Sequence, residues 1–193
     1  NTRRHLNEST AVDIEMAFIQ SEEDIMKILE GLVQHIWKKA IECVYELNIL
    51  NKKLTVPKLP FKRISYNDAV NKLNDNNYKI QWGNDFGTEE EKKLGELMRK
   101  DGHEFYFITN YPLKAKPFYT MPEGDKLSRS FDLACTGVEL ASGSQRINKF
   151  DLLKKRIRDC DLNPKDFDSY LKAFRYGMPP HGGFGFGIER FLM

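Results

Sequence analysis

The stretch Phe131-Asp132-Leu133-Ala134-Cys135-Thr136-Gly137-Val138-Glu139-Leu140-Ala141-Ser142-Gly143-Ser144-Gln145-Arg146 constrains the fold more than any other. Apolar and polar residues alternate on both sides of Thr136-Gly137, and period-two alternation broken by a glycine turn folds as a β-hairpin. If Cys135 opposes Val138, then Ala134 opposes Glu139 and Asp132 opposes Ala141. Both acids then point to one face with only alanines between them, while Phe131, Leu133, Val138 and Leu140 turn to the apolar side. Two carboxylates on a floor of small side chains suit a hard cation that draws its other ligands from water and phosphate, as magnesium does with a nucleotide. Two solvated acids on an exposed sheet face are the plainer alternative, and the hairpin alone does not decide between them.

Other segments supply partners for this hairpin. Val12, Ile14, Met16 and Phe18 alternate with Asp13, Glu15 and Ala17, a strand with two acids on its polar face. Phe61 to Ile64, Glu104 to Thr109, Pro117 to Met121, Arg129 to Cys135 and Val138 to Ala141 also read as short strands, most economically one antiparallel sheet. Between them lie helices. Ser21-Glu22-Glu23-Asp24 is an N-cap with an acidic first turn, followed at helical spacing by Ile25, Leu29, Leu32, Ile36, Ala40, Val44 and Leu47. Ser65 with Asp68 caps a helix ending among Asn74 to Asn77, and Thr88 with Glu91 caps one through Leu94 and Met98. Two more are expected, near Phe150 to Asp159 and from Asn163-Pro164 to about Phe174. The class is α+β, with helices flanking the sheet.

Of the 193 residues 40% are hydrophobic and 12% aromatic, enough to bury one sizeable core, so one domain is expected. Lys+Arg 30 against Asp+Glu 28 leaves a net charge of +2, so any anion site must arise from local placement. Cys43, Cys135 and Cys160 are odd in number and far apart, which suggests neither a disulfide framework nor a zinc site and fits a reducing cytoplasm. No apolar run approaches the roughly 20 residues that span a bilayer, and Asn1-Thr2-Arg3-Arg4-His5 is not a signal peptide, so a soluble intracellular protein is expected.

Pro179-Pro180-His181-Gly182-Gly183-Phe184-Gly185-Phe186-Gly187-Ile188-Glu189-Arg190 alternates glycine with Phe184, Phe186 and Ile188. Such a strand is apolar on one face and bare backbone on the other, which lets a flat ligand lie against it, although glycine-rich strands also serve packing alone. Arg190, where strand gives way to helix, can stack on a base or bind phosphate. No Walker loop or Rossmann turn is present. Arg3, Arg4 and His5 could meet phosphates or form a solvated terminus.

Together these segments resemble the motifs of class II aminoacyl-tRNA synthetases, in particular the aspartyl branch of the subgroup that also holds the asparaginyl and lysyl enzymes. Asn1 to Glu8 through Asp13-Ile14-Glu15-Met16 is similar to the second half of motif 2. Tyr111-Pro112 to Pro117-Phe118-Tyr119-Thr120-Met121-Pro122 matches a family-typical segment, and Gly183 to Arg190 resembles motif 3. The likeness covers essentially the whole chain. It implies a six- or seven-stranded antiparallel sheet with flanking helices, and an aspartate–tRNA ligase that activates L-aspartate with ATP and Mg2+ and charges tRNA for aspartate, with tRNA for asparagine a second candidate. By the same resemblance Arg4, His5 and Leu6 lie against ATP, with His5 near the terminal phosphate, and Gly187, Ile188, Glu189 and Arg190 line it, Arg190 stacking on adenine. His5 and Arg190 are thus the catalytic candidates. Glu139 and Ser142 hold magnesium with Asp132 helping; Ser142 approaches the aspartate, Arg146 pairs with its side-chain carboxylate, and Asp13 lies at the amino-acid pocket.

The chain begins inside motif 2, so residues 1–193 are expected to form a partial catalytic domain. The motif 1 helix of a homodimer, the motif 2 arginine and the anticodon-binding barrel fall outside it. The short connection after the first long helix leaves no room for the large inserted domain of the bacterial type and points to the archaeal or eukaryotic type. An asparaginyl-tRNA synthetase or an aspartate-activating asparagine synthetase is the nearest rival, since Thr2-Arg3-Arg4-His5 has an asparaginyl flavour. Asp13-Ile14-Glu15-Met16, Ser142 to Arg146 and Tyr176-Gly177-Met178-Pro179-Pro180 favour the aspartyl branch. A non-catalytic binding module is a remoter rival, and retention of Glu139, Ser142, Arg146 and Arg190 argues against it.

Overall fold

The computed structural model describes residues 7–192. Strand β1 (Ala11–Ala17) leads into helix α1 (Glu22–Glu42) and the short α2 (Val44–Ile49). There follow β2 (Lys62–Ser65), α3 (Tyr66–Asn74), α4 (Thr88–Lys100) and β3 (Phe105–Thr109). After a 3-10 turn at Leu113–Ala115 come β4 (Pro122–Glu123), β5 (Leu127–Ser128), β6 (Ser130–Cys135) and β7 (Val138–Gln145). The chain closes with α5 (Phe150–Asp159), a 3-10 turn at Pro164–Phe167, α6 (Asp168–Arg175), β8 (His181–Gly187) and α7 (Ile188–Leu192).

The six-stranded sheet has the order β1-β8-β7-β6-β3-β2, and β4 pairs with β5 apart from it. The expected antiparallel sheet is in fact mixed, because β2 runs parallel to β3. Helices α3 and α4 intervene between those two strands, and such a crossover permits parallel pairing.

Helix α1 starts as its sequence dictates: the Glu23 amide donates to Ser21 Oγ, and Asp24 accepts from the Gln20 and Ser21 amides. Ile25, Met26, Leu29 and Val33 of α1 are buried against Phe105, Phe107, Phe131, Leu133, Phe184 and Phe186 on one face of the sheet. Each such side chain removed from water contributes about 1.5–3 kcal/mol. Trp37 lies edge-on between Phe105 and Phe191, at 5.1 and 4.8 Å, and so brings α7 to the same layer. On the opposite face α3 and α4 cover the β2–β3–β6 half with Tyr66, Val70, Leu73, Leu94 and Met98. Helices α5 and α6 form a third cluster through Leu153, Ile157, Leu171 and Phe174.

Several local expectations change. Phe18 is no core residue: it is 85% exposed, with φ of 62°, because the strand ends at Ala17 and the chain turns there, the Phe18 amide donating to the Pro180 carbonyl at 2.7 Å. Pro117 to Met121 is a turn with a single bridge, Thr120 to Arg146, rather than a strand. The cap of α4 is Gly87, with Thr88 its first helical residue. The helix expected from Asn163 divides into the 3-10 turn and α6, with the Asn163 cap retained.

Candidate functional site

Residues directly opposite one another in neighbouring strands project to the same face, so register alone assembles a row across the sheet. Asp13 of β1 faces Gly185 of β8, Gly185 faces Ser142 of β7, and Ser142 faces Asp132 of β6. This row lies on the face opposite α1, running from the exposed Asp13 to Asp132, which is 5% exposed at the margin of the layer formed by α3 and α4. Asp132 opposing Ser142 corrects the expected partner, Ala141. The hairpin keeps its register at Cys135–Val138 and Ala134–Glu139 but shifts between Leu133 and Ala134. Glu139 and Ser142 are three residues apart, which plain alternation would send to opposite faces. The bulge corrects the phase and brings both to the face of Asp132. It also moves Ala141 into the buried apolar layer beside Leu140, while Val138, expected there, is 38% exposed.

The two acids are held differently. Lys116 Nζ stands 3.1 and 3.3 Å from the Asp132 oxygens and 3.8 Å above the Tyr111 ring. The pair is nearly dry, with side chains 10% and 7% exposed. Glu139 is approached by Arg190, whose Nη1 lies 3.3 Å from its carboxylate and donates to its carbonyl at 3.1 Å. Burial pushes the Glu139 carboxyl above its ordinary value and the neighbouring Asp132 charge adds to the rise, opposed by Arg190 and Lys116. Burial also drives the Tyr111 hydroxyl well up, keeping it protonated beside Asp132.

A second group lies along the row formed by Glu15, Gly183 and Ser144. Arg146 Nε and Nη2 donate to Glu15 Oε1 at 3.0 and 2.6 Å, and Nη1 to Ser144 Oγ at 2.6 Å. Tyr119 covers the guanidinium at 5.1 Å. The floor of β8 is less bare than its glycines suggest. A Cβ on Gly183 would lie 2.0 Å from the Ile14 carbonyl and 2.6 Å from the Glu15 carboxyl carbon, and one on Gly185 would lie 3.0 Å from Asp13 Oδ1. The glycines therefore admit the acids of β1, which lie across them.

Of the expected site residues, Asp13, Asp132, Glu139, Ser142, Arg146, Gly187 and Arg190 converge on this face. The aliphatic stem of Arg190 passes within 3.8 Å of where a Gly187 side chain would begin. Glu189 turns aside to accept from the Thr10 amide at 2.6 Å, and the Ile188 amide donates to the Thr10 carbonyl at 3.1 Å, so these two fasten α7 to the start of β1. Arg4, His5 and Leu6 lie outside the described residues. The sequence placed Glu15 on the right face without a role, offered Tyr111, Tyr119 and Ser144 only as members of matching segments, and gave no sign of Lys116. Alternation with Asp13 could have singled out Glu15, whereas nothing local marks Lys116. A cavity of about 540 Å3 lies elsewhere, between β2, α3 and the end of α4, and its Lys72 is taken by Asp101 at 2.6 Å.

A family model described as tRNA synthetases class II (D, K and N) matches residues 1–193. The aspartate–tRNA(Asp/Asn) ligase of Methanopyrus kandleri is 48% identical over 194 residues, spanning 100% of this chain and 44% of that protein. The aspartate–tRNA(Asp) ligase of Pyrococcus abyssi is 50% identical over 197 residues, with 100% and 45% covered. The chain thus spans less than half the length of these relatives. Among solved structures, the aspartyl tRNA synthetase from Entamoeba histolytica superposes with a TM-score of 0.91 at 36% identity, covering 100% of this chain and 41% of that one. The asparaginyl-tRNA synthetase from Pyrococcus horikoshii, complexed with asparaginyl-adenylate, gives 0.89 at 36%, with 99% and 45% covered.

Proposed function

Because this chain belongs to the class II tRNA synthetases of the D, K and N group, we propose that it forms the catalytic portion of an aspartate–tRNA ligase. In the proposed reaction an oxygen of the aspartate α-carboxylate attacks the α-phosphorus of ATP, and the bond to the leaving pyrophosphate breaks. A terminal ribose hydroxyl of tRNA then attacks the adenylate carbonyl and releases AMP. Attack and departure are in line, so the site must position the partners and offset charge, and no side-chain nucleophile is needed.

The observation that carries this reading is the convergence of Arg146, the Asp13–Gly185–Ser142–Asp132 row and the Glu139–Arg190 pair on one face of the sheet. Arg146, fixed by Glu15 and Ser144, would hold the aspartate side-chain carboxylate by charge-assisted bonds, with Asp13 and Ser142 beside the amino acid. Arg190 would lie against ATP with Gly187 to Glu189, its planar guanidinium available to the base, and Arg4, His5 and Leu6 would meet the nucleotide from the segment before β1. Glu139, Ser142 and Asp132 offer the hard oxygen donors that Mg2+ prefers, and among the described residues no group of three His, Cys, Asp or Glu could chelate a metal alone. Glu139, Ser142 and Asp132 would hold Mg2+, which would supply charge to offset the phosphates.

Aspartate-dependent exchange of pyrophosphate into ATP tests the reading in the longer protein. Arg146→Ala should abolish exchange with ATP binding nearly unchanged, and normal exchange by that variant would sink the assignment. Glu139→Ala should remove the magnesium dependence of nucleotide binding, so an unaltered magnesium titration counts against that role. The proposed macromolecular partner is tRNA for aspartate, and the Methanopyrus kandleri relative, named for both Asp and Asn, suggests tRNA for asparagine as a second. A homodimer built through segments outside this chain and a cytoplasmic location belong to the same proposal; no helix among the described residues is long and apolar enough to cross a membrane. One observation favours a second reading. Glu15 against Arg146 pairs an acceptor with a donor, which suits an amide, so asparagine is the competing substrate. Exchange dependent on asparagine rather than aspartate would establish it.

A further inference from the structure

Helix α5 buries an arginine whose presence stability alone does not explain. Arg156 is 8% exposed, on the same helix face as the fully buried Leu153 and Ile157. Its ion-pair partner among the described residues, Asp159, stands at 4.0 Å. Its Nε is buried without a hydrogen-bond partner among them. A guanidinium so poorly compensated costs more than an apolar side chain of similar size.

What Arg156 does reach is the segment that feeds the site. Nη2 donates to the Leu113 carbonyl at 3.4 Å. Leu113 opens the 3-10 turn Leu113–Ala115, and the next residue is Lys116, whose ammonium is lodged on Asp132 and over Tyr111. A lysine side chain has four rotatable bonds, so its ammonium stays in one place only where the backbone beneath is fixed. The turn is short and is tied otherwise by the Leu113 amide to the Lys126 carbonyl, at 2.8 Å, and by bonds within itself.

We propose that Arg156 is a positioning residue: from behind, it fixes the Leu113–Ala115 turn so that Lys116 remains seated on Asp132 in the site row. The proposal rests on the ligase reading for what that row accomplishes, whereas the seating of Lys116 can be measured without turnover.

The test uses the full-length protein, its Arg156→Gln and Arg156→Lys variants, and lysine acylation by an acetyl succinimidyl ester followed peptide by peptide in a mass spectrometer. In Arg156→Gln, Lys116 should acylate about tenfold faster, as a locally opened group does. Lys72, paired with Asp101 beside β2, should keep its rate. Arg156→Lys, which can still donate to the Leu113 carbonyl, should protect Lys116 in part. In aspartate-dependent exchange kcat/KM should fall roughly 10- to 100-fold in Arg156→Gln, with no further fall when that change is added to Lys116→Met. Unchanged acylation of Lys116, equal acceleration of Lys72, or losses that multiply in the double variant would each overturn the proposal. If Arg156→Gln does not fold, Arg156→Lys carries the same measurements. Absence of exchange in the unaltered protein would defeat the ligase reading and leave the acylation result to decide this one.

Discussion

Replacing Lys116 by methionine isolates the energetics of the site's driest ion pair. The side chains of Lys116 and Asp132 are 10% and 7% exposed, so removing one partner strands a largely desolvated carboxylate. Breaking a buried pair in this way costs about 3–5 kcal/mol. The ammonium over Tyr111 adds about 0.5–2 kcal/mol, part of which a methionine sulfur against the same ring recovers. The Lys116→Met variant should therefore lose stability mainly around Asp132. Native-state hydrogen exchange at the β6 amides reads that loss locally, and roughly 200- to 4000-fold faster exchange is expected. Converting the stranded acid as well, with Asp132→Asn, leaves two neutral groups and should reduce the total loss to about 1 kcal/mol. A loss under about 1 kcal/mol for Lys116→Met alone, or a double variant as unstable as the sum of its singles, would refute the assignment of a tightly coupled pair.

Gly183→Ala drives a Cβ into the Ile14 carbonyl, at 2.0 Å, which no rotamer can relieve. It should cost about 1–3 kcal/mol, loosen β1 from β8 and impair exchange; unchanged protection of the β1 amides would contradict the geometry. Glu22 carries a carboxyl raised above its ordinary value by burial. Below the unfolded value the group is neutral in both states; as pH rises past it the unfolded chain ionises more readily, and stability falls until the folded carboxyl has ionised too. Glu22→Gln should therefore stabilise the protein at pH 7 and change little at pH 3, and urea midpoints that move equally at both would exclude burial as the cause.

Most of the fold was legible because its signals are local. Ser21 and Asp24 cap α1 as written, Thr136-Gly137 turns the hairpin, and the alternation of β1 and β8 places Asp13, Glu15 and the glycines on one face. The parallel pairing of β2 was not legible, since a four-residue strand carries no mark of direction. Nor was the bulge, a register shift between β6 and β7 that plain alternation does not announce. The resemblance named Glu139 and Ser142 together, and only the bulge explains how residues three apart in a strand share a face. Lys116 stayed hidden for another reason: its partner Asp132 lies in a different element, and no expectation was formed for the 3-10 turn Leu113–Ala115 that delivers it.

The fastening of Glu189 to the Thr10 amide joins residues 179 positions apart, and the β1–β8 ladder beside it closes a loop of nearly the same span. Closing so long a loop costs entropy that nothing nearby repays, so this pairing should be among the last to form. A ribosome that has not yet delivered His181 to Gly187 holds a chain whose α1 can already find Phe105 and Phe131, yet whose β1 has no β8 to pair with. Asp13, Glu15 and Arg146 have no common floor until then. Site assembly is thereby tied to the end of synthesis of this segment, and a product truncated before β8 should retain much of the apolar layer while lacking the row proposed to hold substrate.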